Sequence, residues 1–325
     1  MTTASCPLAK ALWGARFAGV WLPSCYTTWW DTTAVRQRFK AFHANLSLTK
    51  GQVEDALGKA KRVGQALQRA YDGEATDNPP IFTVGSWGKG TPVRPSADID
   101  IMAKFDWATY QRFQAYANNG QSALLQEIKD KLEPSFQQTR MRGDGQVVQI
   151  DFNSIMVELV PVFAVSNGQF IMPDTNGGGS WKTVDPAAQI KLIDDADRAF
   201  NGNVRALCKI IKRWKHECSV DLKSFVVEIL VTDFFRNYPW GDYDYYYYDW
   251  YVRDCLKFLK TRVNGWVAIP GTGEILHLGD KWASKVDTAI GIAEQACDYE
   301  RDDYDIMAGM EWQKIFGHLI PIRVL

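Results

Sequence analysis

The 325-residue chain has no continuous apolar run of about 18 residues or more, the length a membrane-crossing helix requires. It has no surplus of either charge: 37 lysines and arginines stand against 38 aspartates and glutamates, a formal net charge of −1. A protein that coats nucleic acid shows a marked basic excess, so no stable nucleic-acid partner is expected. Histidine is scarce, at four residues, and the six cysteines (Cys6, Cys25, Cys208, Cys218, Cys255 and Cys297) include no C-x-x-C pair. His216 and Cys218 are close, but no second pair at zinc spacing accompanies them. Reduced thiols in a cytoplasmic protein are the expectation. What is present is ordinary: 46% hydrophobic and 23% charged residues exclude a disordered chain, and the length allows one large domain or two lobes.

The first thirty residues carry Lys10, Arg16 and four tryptophans, Trp13, Trp21, Trp29 and Trp30. Arg16 interrupts the apolar core a signal peptide needs, and a clean cleavage site is missing. Residues 1–34 are read as a loosely packed N-terminal extension. From Thr49 the pattern turns helical: Thr49 and Gln52 have capping-box spacing, and Val53, Ala56, Leu57, Ala60, Val63, Leu67 and Ala70 recur at threes and fours. Trp107 to Leu132 reads as a further helix. Val147 to Phe152 and Ile155 to Val160 read as strands joined by a turn at Asn153-Ser154, with Pro161 ending the second. The stretch from Pro173 to Trp181 is rich in glycine but lacks the lysine-serine ending of a phosphate loop, and is read as a mobile connection between lobes. Val204 to His216 is helical, with Val204, Leu207, Cys208, Ile211 and Trp214 as its apolar stripe and Lys209, Lys212 and His216 on another face. The aromatic run from Asp242 to Tyr251 would point in every direction as a helix or a strand, and is read as packing plus surface.

The chemistry is concentrated between Gly85 and Asp100, G-S-W-G-K-G-T-P-V-R-P-S-A-D-I-D. A short apolar strand, Ile81 to Val84, leads into Gly85-Ser86, then a turn carrying Lys89 and Arg94, then a second strand with Asp98 and Asp100. Strand side chains alternate, so the two aspartates share a face. Two carboxylates on one face cannot both be desolvated without a cation. Mg²⁺ suits them, because it takes oxygen ligands and sits between carboxylates and substrate phosphates. The backbone N–H groups of the Gly-Ser turn and the Ser86 hydroxyl can receive a triphosphate. Lys89 and Arg94 either add positive potential or face solvent.

This ordered set resembles the GS…DxD signature of the polymerase-β-like nucleotidyltransferases. Its wording, G-S-x-x-x-G-T-x-x-x-P-x-x-D-I-D, is similar to that of the cyclic-oligonucleotide synthases related to cGAS and the oligoadenylate synthases (the CD-NTases), which bacteria use in anti-phage (CBASS-type) signalling. The resemblance spans roughly residues 35–325 and implies an α+β fold, with a polymerase-β-like core, a helical C-terminal lobe and an active site in the cleft between them. It divides the chain at 1–34, 35–170 and 171–325. It also implies two Mg²⁺ ions, with Mn²⁺ as a substitute, held by Asp98, Asp100 and a third acid from the strand after the hairpin. Where the family typically has V-D-V-V-P this chain has V-E-L-V-P, which puts Glu158 at the third position. Asp151 on the neighbouring strand is the competing candidate.

Further along, Lys212 occupies the place of a lysine that reaches the donor triphosphate in the family's R-L-L-K-x-W helix. L-K-S-F-V-V-E-I-L resembles a second family helix, in which Ser224 would bond phosphate, Phe225 would stack on a base or pack in the core, and Glu228 would be structural. Trp312-x-x-Ile315-Phe316-Gly317 resembles the family's closing block. The implied reaction joins nucleoside triphosphates, ATP or GTP, into a cyclic di- or trinucleotide with release of pyrophosphate, and the implied partners are regulatory proteins of a defence operon. Rival readings are a linear-oligonucleotide or RNA nucleotidyltransferase, a toxin-type transferase that modifies a macromolecule, and a nucleotide-binding module without catalysis.

Overall fold

The computed structural model describes residues 32–95 and 98–324, so the expected N-terminal extension, with Cys6 and Cys25, lies outside them except for its last three residues, which open the first helix. Helices α1 (Thr32–Leu46) and α2 (Lys50–Asp72) come first. The predicted capping box starts α2: the Thr49 hydroxyl accepts from Gln52 N, the Gln52 side chain accepts from Thr49 N at 2.9 Å, and Gly73 closes the helix in a left-handed conformation. Then follow β1 (Ile81–Thr83), the single turn α3 (Gly85–Gly88), β2 (Asp98–Phe105), α4 (Trp107–Gln114) and α5 (Gly120–Leu132). The single helix expected over 107–132 is thus two. Asn119 caps α5 by accepting from Ser122 N, and Gly120 sits so close that a Cβ there would meet Phe113 O at 2.0 Å.

Strands β3 (Arg140–Asp144), β4 (Val147–Asp151), β5 (Met156–Ala164), β6 (Phe170–Asp174) and β7 (Ser180–Val184) complete a seven-stranded sheet in the order β1-β2-β5-β4-β3, with β6 on the far end of β5 and β7 beyond it. β2 and β5 are parallel and paired from Asp98↔Met156 to Phe105↔Phe163, while every other neighbouring pair is antiparallel. Pro161 does not end β5. β4 pairs only as far as Leu159 and β6 starts at Phe163, so the proline falls where one flank of β5 has no neighbour to receive an N–H. The glycine-rich 173–181 stretch is not a mobile connection but the β6–β7 hairpin, anchored by a buried Asp174 that pairs with Lys182 at 2.5 Å. The sheet lobe therefore runs to Val184, past the boundary expected at residue 170.

The remainder is α6 (Pro186–Ala199), α7 (Asn203–Glu217), α8 (Ser224–Arg236), α9 (Tyr248–Thr261), the small hairpin β8 (Trp266–Ala268) and β9 (Ile275–His277), α10 (Ala283–Arg301) and α11 (Asp305–Phe316). The apolar stripe predicted for α7 is fully buried at the centre of this lobe. Helix α1 belongs here too, since Val35, Phe39, Phe42 and Leu46 enter the helical core rather than the sheet's. The tyrosine run divides as its spacing predicts, with Tyr248 and Tyr251 buried and Trp250 exposed.

Candidate active site

Asp98 and Asp100 stand on one face of β2. The parallel register sets Glu158 of β5 directly beside Asp100, close enough that its charge helps raise the Asp100 pKa. Asp151 lies on the same face but opposite Met156, which is itself opposite Asp98, so it is two strands away from the pair and exposed. Of the two third-acid candidates, Glu158 is the one brought to the aspartates. The same row continues outward: Gln149 of β4 donates Nε2 to Glu158 Oε1 at 2.8 Å, and Arg142 of β3 donates Nε to Gln149 Oε1 at 2.5 Å. Gln149 thereby orients the carboxylate of the longer Glu158 side chain. Nothing in the spacing of its own strand pointed to it.

The Gly-Ser turn is laid against these acids by backbone bonds. Val84 N donates to Asp100 O at 3.0 Å, and the Trp87 indole donates to Asp98 O at 2.8 Å. Gly85 has φ +57°, and a Cβ at this position would sit 1.9 Å from Asp100 Oδ2. Only glycine permits that approach. Burial raises the pKa of Asp98. It also raises that of Asp100, to about 7, helped by the charges of Asp98 and Glu158, with Lys89 opposing.

Asp98 and Asp100 line a cavity of about 420 Å³. Gly85, Ser86 and Arg94 line it from the sheet lobe, while Lys212, Lys215 and His216 of α7 and Ser224 and Phe225 of α8 line it from the helical lobe. Glu158 lies beside Asp100 rather than on the wall itself. Ser224 is exposed at the first turn of α8. Phe225 packs on the helical core, the second of its two expected roles, and also lines the cavity. Lys215 and His216 were missed as lining residues, although they follow Lys212 at helical spacing.

Two of the lysines on the cavity are buried and already paired. Lys89 does not face solvent: it is 5% exposed and pairs with Glu228 at 2.6 Å. Lys212 is 8% exposed and bonds to Glu228 and to Thr91 Oγ1, the latter at 2.8 Å, so it meets the cavity already paired. Glu228 was expected to pair within the helical lobe; besides Lys212 of α7 it also reaches Lys89 of the sheet lobe.

Among the described residues no three His, Cys, Asp or Glu side chains are gathered tightly enough to hold an ion unaided. Asp98, Asp100 and the adjacent Glu158 offer carboxylate oxygens, the donors Mg²⁺ takes. Burial first, then the charges of Asp98 and Glu158, raise Asp100 to about 7, a setting in which a divalent cation would stabilise the ionised carboxylates.

The sequence model of the Second Messenger Oligonucleotide or Dinucleotide Synthetase domain matches residues 34–197, half of the chain. The chain belongs to this synthetase family. A probable cyclic nucleotide synthase of Bacillus cereus is 24% identical, covering 74% of this chain and 82% of its own length. A cyclic AMP-AMP-AMP synthase of an Acinetobacter species is 22% identical over 74% and 72%. The solved structure of the Bradyrhizobium diazoefficiens CD-NTase CdnG in complex with GTP superposes with a TM-score of 0.66 at 10% identity, covering 88% of this chain and 96% of that one. The synthetase is thus a nucleotidyltransferase of the CD-NTase group, with the group's polymerase-β-like core and helical lobe. No helix among its described residues is long and apolar enough to cross a membrane.

Proposed function

We propose that this synthetase joins nucleoside triphosphates, ATP or GTP, into a cyclic di- or trinucleotide with release of pyrophosphate, as a second messenger of anti-phage defence under the control of regulatory proteins. The observation that carries the reading is the placement of Asp98 and Asp100, with Glu158 in register beside them, on a cavity that α7 and α8 also line. The name of the Bacillus cereus relative supports the same reaction class.

Gly85 and Ser86 seat the donor triphosphate through backbone N–H groups and a hydroxyl, and Ser224 adds a hydroxyl from the facing helix. Phe225 offers its ring to a base. Asp98, Asp100 and Glu158 hold the divalent cations, Mg²⁺ or in its place Mn²⁺. Bound there, these would supply Lewis acidity toward the attacking hydroxyl and charge neutralisation for the departing pyrophosphate. The protein's contribution is mainly orientation. A ribose hydroxyl of one nucleotide forms the new bond to the α-phosphorus of the other, the bond to pyrophosphate breaks, and the hydroxyl proton passes to a carboxylate. A later attack of the same kind closes the ring.

Purified protein given all four nucleoside triphosphates with Mg²⁺ should yield a cyclic product by mass spectrometry. Asp98→Asn or Asp100→Asn should abolish pyrophosphate release while leaving the circular dichroism spectrum intact, and undiminished turnover in either variant removes the site. One observation favours a second reading, binding without turnover: the third acid is a glutamate already engaged by Gln149. On that reading nucleotide binds and no pyrophosphate appears.

A further inference from the structure

The cavity wall also carries a buried charge cluster built from both lobes. Glu228 of α8, 2% exposed, accepts from Lys89 Nζ through Oε2 at 2.6 Å. Its Oε1 accepts from Lys212 Nζ and from the Thr91 hydroxyl. Lys212 also donates to Thr91 O at 3.2 Å. Lys89 and Thr91 belong to the segment just after the Gly-Ser turn, whereas Lys212 and Glu228 come from α7 and α8. All four line the cavity. Two ammonium groups and one carboxylate leave one net positive charge, in a place where charge is poorly screened by water. The cluster is also close enough to be felt by the acids, since Lys89 opposes the rise in the pKa of Asp100 and Lys212 that of Asp98.

A structural ion pair would need one lysine. Two lysines on one carboxylate leave the cluster one positive charge, shared between the nearby acids and any anion that enters the cavity. We propose that Glu228 is the positioning residue of the triphosphate seat: it holds Lys89 and Lys212 at the cavity wall and limits their combined charge to one unit, so that a polyphosphate is bound without being trapped. Because product must leave after each ring closes, a seat carrying both lysines unopposed would hold pyrophosphate and substrate too tightly. This deepens the nucleotide-binding reading above and rests on it.

Charge arithmetic supplies the test. Glu228→Gln leaves two positive charges, Lys89→Met leaves none, and the double variant restores one. The full chain is titrated calorimetrically with inorganic tripolyphosphate, which has neither base nor ribose, and with the α,β-methylene analogues of ATP and GTP. Relative to the parent, Glu228→Gln should bind tripolyphosphate roughly thirtyfold tighter and Lys89→Met roughly thirtyfold weaker, the scale of one unit charge acting on another about 8 Å away at an effective dielectric of about 20. The double variant should fall within about twofold of the parent. A purely structural cluster predicts unchanged or weaker binding in every variant, and that result overturns the proposal. If Glu228→Gln does not fold, the Lys89→Met and double variants still decide it, by weakening and recovery. Failure of the parent to bind either nucleotide analogue overturns the functional reading along with this one. Normal binding by the parent, without the charge ordering among variants, overturns this one alone.

Discussion

Asp100 concentrates the cost of building this site. Burial first, then the charges of Asp98 and Glu158, push its carboxyl to about 7. A group with a raised folded-state pKa holds its proton in the native protein over a pH range where the unfolded chain has lost it. The contribution to stability is therefore present at acid pH and is lost as pH rises from the ordinary aspartate range through about 7. Asn in its place has no charge to bury. Metal-free Asp100→Asn is expected to be more stable than the parent near pH 8 by about 1–3 kcal/mol, with the difference fading toward about pH 4. Urea unfolding at the two pH values measures this, and equal stability at both would show that the acids do not strain one another. The Gly85 turn belongs to the same scale, because its missing side chain is what lets the backbone meet the Asp100 carboxylate.

Among the elements, β5 is the one the site depends on. Its parallel pairing with β2 brings Glu158 to Asp100, and its antiparallel pairing with β4 brings Gln149 to Glu158, so four adjacent strands contribute to one row, Arg142–Gln149–Glu158–Asp100. A carboxylate that binds a metal is oriented by what bonds its other oxygen, and removing such a partner typically weakens metal affinity or activity roughly 10–100-fold. Gln149→Leu is expected to raise the Mg²⁺ concentration for half-maximal pyrophosphate release by about that factor, roughly 10–100-fold, with the fold unchanged by circular dichroism. An unaltered Mg²⁺ dependence would mean that Glu158 needs no support. Helix α7 does comparable double work: its apolar stripe is core, and Lys212, Lys215 and His216 line the cavity.

Over the whole molecule, the first helix and the last described residues are tied together inside the helical lobe. Arg38 of α1 is fully buried. It pairs with Glu300 at 2.8 Å and donates to Pro321 O at 2.6 Å, Ile322 O at 2.7 Å and Asp305 O at 2.8 Å. Truncation would leave Glu300 buried with its charge unmatched and three carbonyls without their donor. Arg38→Ala is expected to cost about 3–5 kcal/mol, a large part of the roughly 5–15 kcal/mol that holds a domain folded. Thermal unfolding checks this, and turnover per folded molecule should not change, because Arg38 is absent from the cavity wall.

The sequence by itself determined what is local. The Gly-Ser turn, the shared face of Asp98 and Asp100, the Thr49 capping box and the stripe of α7 are each encoded within a few turns of helix or a few residues of strand. Alternation, capping and periodicity act over that range. The wording V-E-L-V-P already favoured Glu158 over Asp151, and strand register then set Glu158 directly beside Asp100 and Asp151 two strands away. Tertiary structure alone decided that Pro161 lies within a strand and that α1 joins the helical lobe. The pairing of Lys89 and Lys212 with one carboxylate was invisible for the same reason. Side chains from distant segments meet only when long-range packing sets their distance, and no spacing along the chain records it.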